Sequence, residues 1–286
     1  MEKLIVTSFY KYVSLSNLEN FQKEHLDFCN EIGIKGKVLI GTEGINASIS
    51  GNKEQIKEYK KKLKTYKEFS DIKFKDTEST YHPFRKTIVR IRKEIVTSNF
   101  NVDPTKTGHH LSPKELKNMY DKKEDFVIID ARNNYESKIG KFKNAITPKI
   151  ETFREFTKVI AKLNKYKNKK IVMYCTGGVR CEKASALLIK KGFKDVNQID
   201  GGILNYIEQY PDTYFEGRCF VFDDRLSIPS GKSNNEITLC EKCHIPCGKY
   251  SNCMNAKCNK LVIHCDECKI QYKDACSKKC RNLTSN

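Results

Sequence analysis

Three features that the sequence lacks narrow what the chain can be. Its 286 residues contain no run of about eighteen apolar residues, so we expect no membrane-spanning segment. The first residues lack the apolar core and cleavage site of a signal peptide, which makes the cytoplasm the expected location. Without an export signal, thirteen cysteines indicate catalytic or metal-binding thiols rather than a disulfide framework.

Acidic residues are scarce beside basic ones. The 35 Asp and Glu residues face 53 Lys and Arg residues, which gives a formal net charge of +18. The excess is +6 in residues 1–100, +7 in residues 101–239 and +5 in residues 240–286, so no basic tail accounts for it. A positive charge spread in this way favours a folded RNA over a small acidic substrate as the binding partner. Solubility in a lysine-rich proteome explains much of the charge.

Periodicity predicts an α+β unit at residues 1–97, which we call the N-terminal domain. Strands are expected at 4–10, 37–40, 45–50, 72–74 and 87–91, and helices at 18–32 and 54–63. The order strand, helix, strand, strand, helix, strand is typical of a ferredoxin-like or acylphosphatase-like sandwich.

The pattern of residues 98–215 predicts an α/β fold with a doubly wound parallel sheet. We call this part of the chain the central domain. After a polar stretch at 99–108, strands are expected at 126–130, 171–174 and 196–199, with helices between and after them. Ligands of such folds bind at the carboxyl ends of the strands. Cys175 directly follows one of these strands and Asp130 ends another, so both are candidates for a site.

The segment after Ile171–Tyr174 carries the strongest chemical signal. A strand stops at Cys175, passes through two glycines and restarts as a helix, which we expect to begin at Cys181. Backbone amides and a helix start stabilise a thiolate and an attached anion such as a persulfide. The predicted nucleophile is Cys175, and the predicted anion cradle consists of Thr176, Gly177, Gly178, Val179 and Arg180. The alternative is a buried core cysteine beside an incidental turn.

Four further residues are candidates for supporting roles. Asp130 holds a loop or a helix cap, and Arg132 with Glu136 either pairs with charges around the loop or has a structural role, which we favour. Cys181 is either a bystander or the thiol that resolves an oxidised Cys175.

A small module rich in cysteine follows at residues 216–286, which we call the C-terminal module. Two C-x-x-C pairs have the spacing of zinc ligands, and so short and polar a segment has too little apolar material to fold without a metal. An interleaved pairing places Cys240, Cys243, Cys265 and Cys268 on one structural zinc and Cys253, Cys258, Cys276 and Cys280 on another. Cys247 is left over, and His244 or His264 could replace a thiolate. Disulfides or a loose reduced segment are the alternatives.

The motifs resemble a known family. Cys175-x-x-Gly178-x-Arg180 is similar to the active loop of rhodanese-type sulfurtransferases, and the longer string from Tyr174 to Ser185 resembles the bacterial tRNA uridine(34) hydroxylases of the TrhO (YceA) family. Further matching strings occur in that family's order: Ser8–Tyr12, Glu43–Asn46, Asp130–Asn133 with Tyr135-Glu136, Gly201–Ile203, Phe220–Arg225 and the cysteine-rich end. The family often has an Arg-rich extension after these cysteines, and no RNA contact from such a tail is expected here.

The resemblance implies a rhodanese-like central domain and hydroxylation of uridine 34 of certain tRNAs to 5-hydroxyuridine. Molecular oxygen would be the co-substrate, Cys175 the essential nucleophile and persulfide carrier, and the tRNA anticodon loop the partner; no protein partner is indicated. The sequence contains no flavin, haem, nucleotide or non-haem iron signature, and the resemblance does not decide the metal question. A thiolate that adds to C6 of uracil would enrich C5 in electrons, where oxygen could be delivered.

Two rival functions fit parts of the sequence. A true sulfurtransferase would carry sulfane sulfur on a Cys175 persulfide, and its active loop would be identical. A non-catalytic zinc module that binds RNA or protein beside a relic rhodanese domain is the second rival. The intact Cys175 argues against the relic, and the match over the full chain, together with the basic flanking domains, favours the hydroxylase.

Overall fold

An antiparallel sheet with two helices on one face forms the N-terminal domain in the computed structural model, which describes residues 3–233 and 235–283. The strands lie in the order β4-β1-β3-β2-β5, and only β2 and β5 pair in parallel. The elements are β1 (Leu4–Tyr12), α1 (Leu18–Glu31), β2 (Lys35–Gly41), β3 (Gly44–Gly51), α2 (Lys53–Lys64), a 3₁₀ turn (Lys67–Phe69), β4 (Lys75–Ser79) and β5 (Thr87–Ile91).

The strand expected at residues 72–74 is wrong. Ile72 and Phe74 do pack into the core, but from an irregular segment, and the strand that follows is the charged β4. β4 is an edge strand paired only with β1, so its outward side chains need not be apolar. The apolar pattern therefore marks the buried segment and not the strand. The predicted ferredoxin-like or acylphosphatase-like class is confirmed.

The central domain contains a four-stranded, fully parallel sheet in the order β6-β10-β9-β7. Its elements are β6 (His109–Leu111), α3 (Pro113–Asp121), β7 (Val127–Asp130), α4 (Asn134–Ile139), β8 (Gly140–Phe142), a 3₁₀ turn (Phe153–Glu155), α5 (Phe156–Leu163), a second 3₁₀ turn (Asn164–Tyr166), β9 (Lys170–Tyr174), α6 (Val179–Lys190), β10 (Asp195–Ile199) and α7 (Gly202–Gln209).

Alternate residues of the central strand β9 lie in two different cores. Ile171 and Met173 pack with residues of α5 and α6, whereas Val172 and Tyr174 pack with residues of α3 and α7. Helices thus cover both faces of the sheet, which confirms the predicted doubly wound architecture. Cys175 follows β9 and belongs to the first of these cores.

The C-terminal module begins against the central domain. β11 (Phe215–Phe220) pairs with β8 on one side and with β12 (Ser227–Pro229) on the other. The remaining elements are β13 (Tyr250–Asn252), β14 (Leu261–Ile263), α8 (Asp266–Tyr272) and α9 (Lys278–Leu283). Cysteines make up much of the two small cores of this module. Among the described residues, no helix has the length and apolar character needed to cross a membrane.

Candidate active site

The predicted nucleophile lies at the carboxyl end of β9, in the active loop formed by residues 175–180. The Cys175 side chain is fully buried, and its sulfur accepts a hydrogen bond from the amide of Gly178 at 3.1 Å. Gly178 has a φ of +103°, a backbone conformation that favours glycine, and α6 begins directly after it at Val179. The expected helix start at Cys181 is therefore wrong by two residues, because the first turn of the helix includes the end of the loop.

The surroundings of Cys175 favour a thiolate. Burial raises the pKa of this thiol, but a hydrogen bond from Cys181, the charge of Arg180 and the amides of Arg180 and Cys181 outweigh that effect and lower the pKa to about 6. Burial and the neighbouring Cys175 raise the pKa of Cys181 well above its usual range. At neutral pH Cys175 is thus an anion, and Cys181 is a neutral donor beside it.

Arg180 is held by a carboxylate behind the loop. Its guanidinium donates two hydrogen bonds to Glu136, at 2.5 and 2.8 Å, and both side chains are buried. Burial raises the pKa of Glu136, but Arg180 reverses the effect, so the carboxylate stays ionised. Glu136 therefore pairs with a charge of the loop, the less favoured of its two expected roles. The guanidinium also lies 5.4 Å from the ring of Phe222.

The remaining cradle residues make different contacts. The Thr176 hydroxyl donates to Glu136 at 3.3 Å, and the carbonyl of Val179 accepts a hydrogen bond from Tyr12 at 3.3 Å. An added Cβ at Gly177 would meet no atom within 4 Å, so packing does not require glycine there. Hydrogen bonds thus hold the loop at Thr176 and Val179, whereas Gly177 has space around it.

Asp130 and Arg132 form a separate buried pair. Their closest nitrogen and oxygen atoms are 2.6 Å apart, both side chains are fully buried, and Arg132 also donates to the carbonyl of Gly140 at 2.6 Å. The guanidinium lies 5.5 Å from the ring of Tyr174. The pair fixes the turn after β7 against β8, which is the structural role that the sequence favours.

The N-terminal domain contributes groups to the loop that the sequence analysis did not assign. The Tyr10 hydroxyl donates to Glu182 at 2.7 Å and lies 2.7 Å from where a Cβ on Gly178 would be. Gln198 and His110 contact the same carboxylate, at 2.7 and 3.0 Å. The only sequence signal was that Tyr10 and Glu182 belong to matching strings of the family.

A second buried charge connects the same two domains. Lys183, which is almost fully buried, donates to Glu43 at 2.9 Å and to Glu94 at 2.8 Å. Burial raises the pKa of Glu94, but Lys183 and the donors of Ser98 and Asn99 lower it to about 2. A buried lysine held by two carboxylates fixes the position of α6, and hence of the active loop, under the N-terminal domain.

The start of α7 supports the active loop from behind. The amides of Ile203 and Leu204 donate to the carbonyls of Cys175 at 3.0 Å and Thr176 at 3.1 Å. At Gly202, with a φ of +66°, an added Cβ would lie 2.4 Å from the Cys175 carbonyl oxygen. The close approach of these two backbones therefore requires glycine.

The eight cysteines predicted as metal ligands lie in two groups, and these are the groups of the interleaved pairing. Within each group the four sulfur atoms lie within 4.8 Å of one another. The groups are Cys240, Cys243, Cys265 and Cys268, and Cys253, Cys258, Cys276 and Cys280. Cys247 lies outside both and accepts a hydrogen bond from the amide of Lys249 at 3.4 Å.

The sulfur geometry fits a tetrahedral ion. Zinc–sulfur bonds of about 2.3 Å imply sulfur–sulfur separations of about 3.8 Å, whereas a disulfide has about 2.0 Å. The separations are 3.6 Å for Cys243–Cys265 and Cys258–Cys276, and 3.5 Å for Cys276–Cys280. None of the eight cysteines forms a disulfide. The residues present therefore fit two four-cysteine zinc sites; that they hold zinc stays a prediction.

A buried cysteine thiolate in a loop between a parallel strand and a helix places the central domain in the rhodanese-like class. The family model of the rhodanese-like domain matches residues 112–209, that of the UPF0176 acylphosphatase-like domain matches residues 4–95, and that of the rhodanase C-terminal region matches residues 216–281. The chain belongs to the tRNA uridine(34) hydroxylase family, as the relatives described next show.

Three relatives with that name match nearly the full chain. One from Bacillus velezensis is 43% identical over 291 residues, covering 98% of this chain and 89% of the relative. One from Streptococcus agalactiae is 41% identical over 295 residues, covering 98% and 89%. One from Cytophaga hutchinsonii is 39% identical over 284 residues, covering 98% and 91%. The predicted family is thereby confirmed.

Proposed function

We propose that this protein hydroxylates uridine 34 of tRNA to 5-hydroxyuridine, with molecular oxygen as co-substrate and Cys175 as nucleophile. The observation that carries the proposal is the second domain that covers the active loop. Tyr10 reaches Glu182 of α6 at 2.7 Å, so the loop is part of a two-domain site. A sulfurtransferase for small anions needs only the rhodanese-like domain, whereas a large substrate can contact both domains.

The thiolate supports a defined first step. Addition of the Cys175 sulfur to C6 of uracil forms a sulfur–carbon bond, and the electron pair of the C5–C6 double bond moves onto C5 and O4. C5 becomes electron-rich and takes up one oxygen atom of O2, while the other atom leaves as water with two electrons and two protons from an external reductant. Loss of the C5 proton then re-forms the C5–C6 double bond and expels the Cys175 thiolate. A pKa of about 6 keeps Cys175 ionised at neutral pH, as this step requires.

The substrate is the single-stranded anticodon loop. A uracil in that loop is already unpaired, so it can reach Cys175 at a small cost in stacking energy. The net charge of +18 supports binding of an RNA, and the cytoplasm, where tRNA is modified, is the proposed location.

The two cysteine groups bind structural zinc in this proposal. Six of the eight cysteines lie in or against the two small cores of the C-terminal module, which are far more cysteine-rich than the other cores, and Cys243 and Cys258 are exposed. Tyr250 from the same module donates to the carbonyl of Tyr135 at 2.9 Å, next to Glu136. Zinc would thus hold the module against the helix that carries the partner of Arg180.

Sulfur transfer is the second candidate, because the amide of Gly178 and the charge of Arg180 suit a Cys175 persulfide equally well. A deletion strain complemented with wild-type protein, Cys175→Ser or Cys219→Ser separates the candidates. Mass spectrometry of tRNA nucleosides should show 5-hydroxyuridine at position 34 with the wild type and with Cys219→Ser, a buried control thiol, but not with Cys175→Ser. Unchanged tRNA in every strain, with thiocyanate formed from thiosulfate and cyanide by the purified protein, would favour sulfur transfer.

A further inference from the structure

A cavity of about 510 Å³ lies between the N-terminal and central domains, at the start of α7, whose first amides bond to the active loop. The N-terminal domain lines it with Lys64 and residues 71–75, and the central domain lines it with Asp200, Gly201 and Asn205. Its volume is within the range of about 300–1,000 Å³ that is usual for small-ligand pockets. It lies at the carboxyl end of β10, the edge of a doubly wound sheet where ligands bind.

Lys75 connects this cavity with the nucleophile. Its Cε lies 2.6 Å from where a Cβ on Gly201 would be, and its ammonium group lies 5.1 Å from the centre of the Tyr10 ring. The hydroxyl end of the same ring lies against Gly178 in the active loop. Burial lowers the pKa of Lys75, and the negative charges of Asp200 and of the Cys175 thiolate act against this effect.

The charges that line the cavity do not balance. Asp200 is 2.8 Å from Lys73, and Asp71 pairs with Lys11, so both carboxylates are neutralised. Within residues 3–233 and 235–283, no acceptor bonds to the ammonium group of Lys75 or Lys64, although Lys64 lies 5.9 Å from the ring of Phe74. The ammonium groups of Lys64 and Lys75 therefore face the cavity without an ion-paired partner, although the charges of Asp200 and Cys175 attract Lys75 from a distance.

We propose that this cavity binds the ribose-phosphate of the nucleotide whose base reaches Cys175, with Lys64 and Lys75 contacting the flanking phosphate. The inference rests on the proposed function and names the binding site of its substrate. Two unpaired lysines match a phosphate, and the Phe74 ring offers an apolar wall for the sugar. A thiosulfate ion would leave most of the volume empty, so a nucleotide fits better than a small sulfur donor.

The test measures binding and activity separately. A fluorescently labelled anticodon stem-loop RNA is titrated with the full-length protein, without oxygen, at several salt concentrations. Lys75→Met and Lys64→Met should each weaken binding about tenfold at low salt and reduce the slope of log affinity against log salt by about 0.7. Lys61→Met, an exposed lysine of the same helix as Lys64, removes the same charge and should change neither quantity.

Lys75→Arg keeps the positive charge and should restore most of the slope, which excludes a purely structural effect. Because Lys64 is exposed, its substitution tests the proposal even where Lys75→Met folds poorly. Wild-type affinity and slope in Lys64→Met and in folded Lys75→Met would overturn the proposal. Displacement of the RNA from the wild type, but not from the variants, by thiosulfate at low millimolar concentration would also overturn the proposal. Lost binding in the variants, with no hydroxylation by the wild type in air, would leave the cavity assignment standing and remove the proposed reaction.

Discussion

We expect the Cys181 thiol to lower the pKa of the nucleophile measurably. Its S–H group hydrogen-bonds to the Cys175 thiolate, and Cys181→Ala removes that donor without adding a charge. Hydrogen bonds to charged groups contribute about 1.5–3 kcal/mol, and a thiol is a weak donor, so about 1.4 kcal/mol is a reasonable value. That energy equals about one pKa unit. The pKa of Cys175 should therefore rise from about 6 to about 7.

Alkylation followed peptide by peptide measures this shift. The protein is treated with iodoacetamide over a range of pH, and mass spectrometry quantifies the modified peptide that contains Cys175. The midpoint is used rather than the rate, because Cys175 is buried and the rate also depends on access. Cys219→Ala is the matched control, since Cys219 is equally buried and directs its thiol at the carbonyl of Phe220, 3.6 Å away.

Three results would refute the reasoning. A wild-type midpoint near the value of about 8.5 for a free thiol would show that the loop does not stabilise the anion. Equal midpoints in the wild type and in Cys181→Ala would show that the amides and Arg180 alone lower the pKa. A rise in Cys219→Ala as large as that in Cys181→Ala would mean that any lost core thiol disturbs the loop.

Three other predictions concern the metal sites, the pH dependence of stability and the back of the loop. Metal analysis should find about two zinc ions per chain in wild type and Cys247→Ser but about one in Cys243→Ser; equal content in all three would contradict the pairing. Burial lowers the pKa of His25 to about 4, so between pH 6.5 and 4 only the unfolded chain protonates it. Stability should therefore fall as the pH drops through this window, by up to about 1.4 kcal/mol per unit, and thermal melts of His25→Gln should lose that part of the slope. Gly202→Ala should abolish hydroxylation of tRNA and cost about 2–3 kcal/mol in a chemical denaturation, whereas Gly192→Ala, with a φ of +85° and no atom within 4 Å of an added Cβ, should cost about 1–2 kcal/mol and stay active. Equal losses of activity and stability in both variants would show that backbone strain, and not the close approach to Cys175, causes them.

The sequence predicted the features that depend on neighbours along the chain. The strand run before Cys175 and the glycines after it indicated the loop, because each residue there acts within one turn of the next. The spacing of the cysteines from Cys240 to Cys280 likewise predicted two groups of four, since a C-x-x-C turn brings two sulfurs to one point.

Contacts between distant parts of the chain escaped the sequence analysis. Tyr10 and Glu182 are 172 positions apart, and no local pattern shows that a tyrosine of the N-terminal domain contacts a helix of the central domain. The pairing of Glu136 with Arg180, 44 positions apart, was expected only as the less favoured of two roles, because only the fold brings α4 to the loop. β4 was missed for another reason: Lys75 and its neighbours are charged because an edge strand is exposed on one side.

The most direct test of the account follows the oxygen atom. Purified wild-type protein and Cys175→Ser are incubated with a thiol reductant under isotopically labelled oxygen gas with tRNA from a deletion strain, and the nucleosides are analysed by mass spectrometry. The wild type should place one labelled oxygen atom on uridine 34, no label should appear under nitrogen, and Cys175→Ser should give unmodified tRNA. Unlabelled 5-hydroxyuridine, or labelled product from Cys175→Ser, would contradict an oxygen-dependent reaction at this cysteine.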